Sequence, residues 1–350
     1  MKKGEAILYH NLILPDFLEG VTLYDFEIKQ KINEHATMKL VVFVPPELQE
    51  RFSLQAIEGK KVKVEYMMND VKKPLFSGFV TETILKFYNS SYLLELYASS
   101  NSLLLDVKKI FRSYQNIKQT FDENIKDALK NHQEANYINE DKKKNDTIGK
   151  LMLQWNETAW EYIKRLVSRH FVGLIPSIES EKPAFVIGLP TPEKAKEVLE
   201  GRVCTTLNPG AINDKIFNLS IEHKHTSEFL SYKLIKRIEK YDMGGQVLFK
   251  GLKWRIGEVK TYLDRNDAVV YFDYVIAFDD AWQQPFFITE QFKGYLLKAA
   301  LLTERKILQK YILILMESRK LTLRHGFVNV HIIQPEMIGA GVQCPNCKIE

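Results

Sequence analysis

The sequence predicts an α+β chain that is mainly β and antiparallel. Two observations carry this. Residues 1–100 and the stretch after Asn213 read as closely spaced strands joined by short polar turns, and residues 120–200 between them switch to helical periodicity. Closely spaced antiparallel strands of this kind close into a barrel or stack as a sandwich.

The elements follow in order. Met38-Lys-Leu-Val-Val-Phe-Val44 is an apolar strand stopped by Pro45-Pro46. Lys61-Val-Lys-Val-Glu-Tyr66 alternates strictly, with Val62, Val64 and Tyr66 on one face and charges on the other, the pattern of a half-buried strand. Phe79–Tyr88 and Tyr92–Ala98 flank the polar turn Asn89-Ser-Ser91. Phe121–Lys130 reads as a helix and Asn131–Asp146 as a polar, Lys-rich surface loop. Thr158-Ala-Trp-Glu161 fits a capping box, in which the Thr hydroxyl and the Glu carboxylate each accept from an otherwise unpartnered N–H. From there Trp160, Ile163, Val167, His170 and Phe171 recur at helical spacing, and Gly173 is expected to end the helix. Pro183–Pro190 encloses a short buried strand. Gln246–Phe249, Trp254–Tyr262 and Val269–Phe278 read as strands, with Arg265-Asn-Asp267 as a turn and Asp279-Asp280 in another.

An internal repeat is visible in outline. Gly59-Lys-Lys-Val62 precedes Gly78-Phe-Val-Thr81, a polar turn and an alternating strand. Gly244-Gly-Gln-Val247 precedes Gly257-Glu-Val-Lys260 and the same sequel. One module used twice and two unrelated β-meanders both fit.

Composition bounds the function. The 350 residues are 45% hydrophobic and 11% aromatic, enough for a buried core and too much for a disordered chain. At about 150 residues per domain, the length allows two or three domains. The longest late apolar run, Tyr311–Met316, is far short of the roughly 18 residues of a membrane span. Glu5, His10 and Asp16 interrupt any secretory signal. Three cysteines are too few for a disulfide scaffold, so assembly in a reducing cytoplasm is expected. Net charge is +5, but residues 291–350 hold nine Lys/Arg and four Glu with no Asp, leaving residues 1–290 balanced at forty of each sign. A neutral body argues against nucleic-acid binding.

Chemistry is sparse. No P-loop, GxGxxG, HExxH or GxSxG motif is present. His223-Lys-His225 could put two ligands on one strand face but lacks a third, and Cys344-Pro-Asn-Cys347 is half of a metal or redox site. His170 reads as a core histidine. No catalytic, cofactor-binding or metal-binding residue is assigned and no cofactor is expected. The segment Asp106, Lys108, Lys109 and Arg112, interleaved with Val107, Ile110 and Phe111, reads as an interface or domain-junction strand. Trp155 and Trp160 at the helix start are candidates for the same role, with plain core the alternative.

Ser77-Gly-Phe-Val-Thr81, Leu103–Asn116, Trp155–Arg169, Phe185–Pro190, Tyr241–Val247 and Trp254–Val259 occur in one order. As a set, over about residues 1–297, they resemble the contractile-injection-system hub family: VgrG-type spike proteins, phage late control protein D and baseplate hubs. The resemblance implies two tail-tube-like antiparallel β-barrels with an α/β insertion, and here no needle domain. The implied divisions are a first barrel over 1–110, the insertion over 111–205, a second barrel region over 206–285 and a degenerate tail over 286–350. It implies a non-enzymatic homotrimer that meets a hexameric tail-tube protein and baseplate and spike proteins within a phage tail or injection particle. The family pattern stops near Leu297, and the basic, Asp-free remainder reads as an out-of-frame tail. A tail-associated cell-wall hydrolase is the alternative function, and a sugar-binding β-protein a further one.

Overall fold

The structure, a computed structural model, describes residues 6–52, 57, 59–88, 91–191, 196–198, 202–206, 230–287, 296–303, 306–313 and 328–332. The chain opens with β1 (Ile7–Leu8), β2 (Leu12–Ile13), β3 (Thr22–Lys31), β4 (Glu34–Val44), β5 (Lys61–Met68), β6 (Val71–Tyr88) and β7 (Ser91–Ser100). An insertion follows: β8 (Ile110–Tyr114), α1 (Phe121–Ala128), β9 (Asn136–Asn139), β10 (Met152–Glu157), α2 (Ala159–Val167), β11 (Leu174–Pro176) and β12 (Ala184–Ile187). Next come β13 (Lys196–Glu197), β14 (Val203–Thr206), β15 (Ser231–Arg237), β16 (Gln246–Phe249), β17 (Leu252–Asp264) and β18 (Val269–Ala277). The last described strands, β19 (Leu296–Thr303), β20 (Lys306–Leu313) and β21 (Val328–Ile332), form a separate antiparallel sheet in the order β20-β19-β21.

The chain is mainly β, and thirteen strands belong to one sheet. Its main path runs β14-β15-β18-β17-β3-β4-β7-β6-β5-β2, with β1 on β18 and β16 on β17. Alternation drives this sheet: in β5, Val62, Val64 and Tyr66 are buried while Lys61 and Lys63 face solvent. One apolar cluster spans both halves, from Phe26, Leu40 and Phe76 to Ile256, Phe272 and Tyr274.

The repeat is present in the topology. The first half is ordered β3-β4-β7-β6-β5 and the second β14-β15-β18-β17-β16, so five strands correspond one to one in chain order and in space. Each long strand bulges against the strand after it, at Thr81 in β6 and at Gly257 in β17. Gly59 and Gly244 both take left-handed conformations, at φ 72° and 74°. Their neighbourhoods share two hydrogen bonds: the Gly59 N–H donates to Val80 O (3.2 Å) and the Val80 N–H to Lys60 O (2.9 Å), while the Gly244 N–H donates to Ile256 O (2.9 Å) and the Ile256 N–H to Gly245 O (3.0 Å). These bonds and bulges equate Thr81 with Gly257, three positions away from the match of Gly78 with Gly257 that the sequence suggests. The glycines of that match serve different ends. A Cβ on Gly78 would lie 2.0 Å from Ser99 O, and one on Gly257 would lie 2.3 Å from the Trp282 ring. The two halves are joined where β17 pairs antiparallel with β3, from Glu258 opposite Lys31 to Tyr262 opposite Glu27.

The insertion has its own core around Phe121, Ile125, Trp160, Ile163, Leu166 and Phe185. Both helices begin with capping boxes, Thr120 with Glu123 and Thr158 with Glu161. Two local expectations are corrected. Asn131–Asp146 is not all loop, because Asn136–Asn139 is a strand parallel to β12. Gly173 does not end α2: a 3-10 turn over Ser168–His170 follows, and Phe171 takes the left-handed position at φ 60°. Gly173 is instead a point of close approach, where a Cβ would stand 2.6 Å from Ile32 Cγ2. Asp279 and Asp280 open a 3-10 helix over Asp279–Trp282.

Candidate functional site

The β3–β4 hairpin tip docks on the insertion. Asn33, at φ 67°, donates its N–H to Leu174 O (2.7 Å), and its side-chain oxygen accepts from the Leu174 N–H (2.8 Å). Beside this joint lies a cleft of about 740 Å³ lined by His35, Met38, Tyr97, Asp106, Trp160 and Lys164 among others.

At its wall a directed chain of hydrogen bonds crosses three elements. The Ala36 N–H donates to Ser100 Oγ (3.1 Å), and Ser100 and Ser102 hydroxyls are 2.9 Å apart. Ser102 Oγ is 2.9 Å from His35 Nδ1, and His35 Nε2 is 3.2 Å from Asp106 Oδ2. Thr158 donates its hydroxyl to Asp106 Oδ1 and accepts from the Glu161 N–H (3.0 Å). An ionised carboxylate only accepts, so in neutral His35 the proton sits on Nε2 and Nδ1 accepts from Ser102; every group in the chain is then satisfied. Burial raises the pKa of Asp106, but hydrogen bonds from His35 and Thr158, helped by nearby positive charge, outweigh it and hold the carboxyl below its usual value.

The set contains serine, histidine and aspartate, yet it is not arranged for nucleophilic attack. In a hydrolytic triad the serine bonds Nε2 and the carboxylate Nδ1; here the two are exchanged. Ser102 has no exposed surface. The arrangement ties a strand hairpin, the 3-10 helix Asn101–Leu105 and the start of α2 into one unit.

The sequence-predicted residues divide. Asp106 and Trp160 meet at this junction, where the Trp160 ring lies 4.4 Å from the His35 ring. Lys109 Nζ is 3.7 Å from Glu161. Arg112 donates to Asp127 O (2.7 Å), capping the end of α1. Trp155 packs edge-on to Phe111 at 5.2 Å. Both tryptophans are 3% exposed, whereas Lys108 and Lys109 face solvent. The same segment exposes Leu104, Val107 (70%) and Phe111 (43%). Sequence reasoning missed His35, Ser100 and Ser102, which no local motif marks. It also missed the part-buried fork in which Arg165, in the last turn of α2, donates to both oxygens of Glu157 (2.6 and 2.7 Å), the last residue of β10.

His170 is half-buried between Asp141 (2.5 Å) and the Phe121 ring. Among the described residues no group of three or more His, Cys, Asp or Glu could hold a metal ion. His223, His225, Cys344 and Cys347 lie outside the described residues. No described helix is long and apolar enough to cross a membrane.

Solved structures share this architecture. The E. coli c3393 protein, described as a component of the type VI secretion system with structural similarity to the T4 bacteriophage tail proteins gp27 and gp5, superposes with a TM-score of 0.59 at 12% identity, covering 84% of each chain. The 43 kDa tail protein of prophage MuSo2 from Shewanella oneidensis gives 0.56 at 11% identity over 81% of this chain and 100% of that one. A tail protein from Neisseria meningitidis MC58 gives 0.51 at 11% identity over 75% and 95%. No family model and no curated protein matches the sequence. The fold is therefore that of phage tail and type VI secretion proteins. It is the class to which the ordered sequence segments pointed, reached here from backbone geometry alone.

Proposed function

We propose that the chain is a non-enzymatic hub of a contractile injection system or phage tail, a homotrimer that connects the tail tube to the spike. One observation carries this reading: two halves with the same strand order and the same glycine-centred hydrogen bonds, joined edge to edge by β17 and β3. Three copies of a two-fold repeat present six similar units, the symmetry a hexameric tube requires. In this reading each half is a tube-like barrel, over 1–110 and 206–285, and residues 111–205 are the insertion between them. The tail over 286–350 is degenerate because the reading frame breaks near Leu297, leaving residues 298–350 out of frame, which the gene sequence around codon 297 tests.

The outer interface is assigned to Val107, Lys108, Lys109 and Phe111, an exposed mixed segment. Asp106, Arg112, Trp155 and Trp160 hold that segment in place from beneath. Against one form of the rival, a cell-wall hydrolase with a serine nucleophile, stands the burial of Ser102 and its bond to Nδ1 of His35. Sedimentation equilibrium decides between them: the expected mass is three times the 40.8 kDa of one chain. A monomer that releases peptidoglycan fragments with turnover would establish the hydrolase instead.

A further inference from the structure

Arginines withdrawn from solvent in this chain have partners. Arg112 donates to Asp127 O, Arg165 to Glu157 and to Leu153 O, and Arg255 to both oxygens of Asp279 and to the carbonyls of Pro190 and Gly244. Arg169 is different. It is half-buried, on the 3-10 turn Ser168–His170 that follows α2. Among the described residues no hydrogen bond or ion pair holds its guanidinium.

The helix end explains why. An arginine there commonly donates to the last carbonyls of the helix, but those carbonyls are in use. Lys164 O and Leu166 O accept from the Ser168 N–H, Arg165 O accepts from the Ser168 hydroxyl (2.7 Å), and Ser168 O accepts from the Phe171 N–H (3.0 Å). Nor does a described carboxylate act on Arg169. Burial pushes its pKa below the ordinary arginine value, and the charge of Arg165, one turn earlier, pushes the same way. Arg165 has no acid to share, because its fork engages both oxygens of Glu157. The free chain therefore carries a partly desolvated charge that nothing offsets, which lowers stability. Groups that cost stability in the free protein are those that function retains.

We propose that Arg169 receives one carboxylate, the Asp or Glu side chain of a different tail protein that docks on the insertion. A guanidinium fork fits a carboxylate through two parallel hydrogen bonds. One free fork supplies one positive charge, which matches a carboxylate and not a phosphate dianion. The neighbouring nitrogen donors are already engaged, Arg165 with Glu157 and His170 Nδ1 with Asp141. The surface beside it suits a protein partner. The Phe287 N–H donates to Ser168 Oγ (3.0 Å), so the chain at Phe286 runs past the same turn, and Phe286 is 44% exposed. Arginine and aromatic side chains are the groups that anchor protein interfaces. Both phenylalanines precede the proposed frame break near Leu297. The proposal rests on the hub reading only in naming a tail protein as the source of the acid.

The test compares the full chain with Arg169→Gln and uses acetate as the probe. In chloride buffer the variant is expected to unfold at a higher urea midpoint than wild type, with its unfolding constant lower by about two- to fivefold, because an uncompensated charge is gone. Acetate is expected to shift one arginine Nε–H resonance of the wild-type chain along a saturating curve, the resonance that the variant lacks. At matched ionic strength, replacing chloride by acetate raises the wild-type midpoint more than the variant's. A variant less stable than wild type makes the guanidinium a structural brace and overturns the proposal, as does a resonance that acetate does not saturate. Saturation by inorganic phosphate at lower concentration than by acetate overturns the choice of a carboxylate. Loss of self-association in Arg169→Gln, read by sedimentation, places the acid on a second copy and overturns its assignment to a different protein. If the chain is a monomer and acetate still saturates, the hub reading falls and the carboxylate site stands.

Discussion

Replacing Asp106 by Asn changes no heavy-atom count and removes one charge, yet its consequence runs through five residues. Asn can still accept from Thr158 through its oxygen, but its NH2 then faces His35 Nε2. That nitrogen must give up its proton to the opposite tautomer, so Nδ1 becomes a donor to Ser102. Ser102 can turn and donate to Ser100, but Ser100 already accepts from the Ala36 N–H, and its own hydroxyl proton then points into a site with no solvent. One buried unsatisfied donor costs about 1–3 kcal/mol, and loss of charge assistance at two bonds adds on the order of 1 kcal/mol. The expected destabilisation is about 2–4 kcal/mol at pH 7, read from urea denaturation. The pH dependence has a fixed sign. Asp106 has a folded-state pKa below its unfolded value, so its contribution is complete above about pH 4–5 and is lost as pH falls through the folded-state value. The gap between wild type and Asp106→Asn therefore narrows on acidification. A variant within about 0.5 kcal/mol of wild type at pH 7, or a gap that widens toward pH 3, would refute the relay.

Two further outcomes are expected. Glu157→Ala strands the Arg165 guanidinium in the insertion core and costs about 3–5 kcal/mol, while adding Arg165→Met recovers part of the loss, both read as urea midpoints. Val107→Glu, at a side chain 70% exposed, leaves the unfolding midpoint of the single chain within about 0.5 kcal/mol of wild type but weakens its assembly with baseplate partners in co-sedimentation.

What the sequence made legible was local. The alternation of Lys61–Tyr66 and the Thr158–Glu161 capping box are short-range patterns, and both appear where expected. The pairing of Asp106 with Trp160 was legible only as two separate candidates. What joins them is His35, 71 residues from Asp106 in the chain, and nothing near His35 announces that contact. β9 was missed because four residues with asparagine at both ends look like loop; its strand character comes from pairing with β12, not from its own side chains. Phe171 shows the reverse error. Glycine is the expected left-handed residue, but tertiary packing puts the strain on Phe171 and reserves Gly173 for the approach of Ile32.

The β17–β3 seam also constrains biosynthesis. Lys31 waits for Glu258, 227 positions later. At translation rates of about 5–20 residues per second, the nascent chain on its ribosome holds the β3 edge uncovered for roughly 10–45 s. Neighbouring nascent chains on one message carry the same uncovered edge at high local concentration. Alternate positions on it are Glu27, Lys29 and Lys31, charges that later meet Lys260 and Glu258 across the seam. Until those partners emerge, the same charges act as gatekeepers, resisting premature pairing between identical chains.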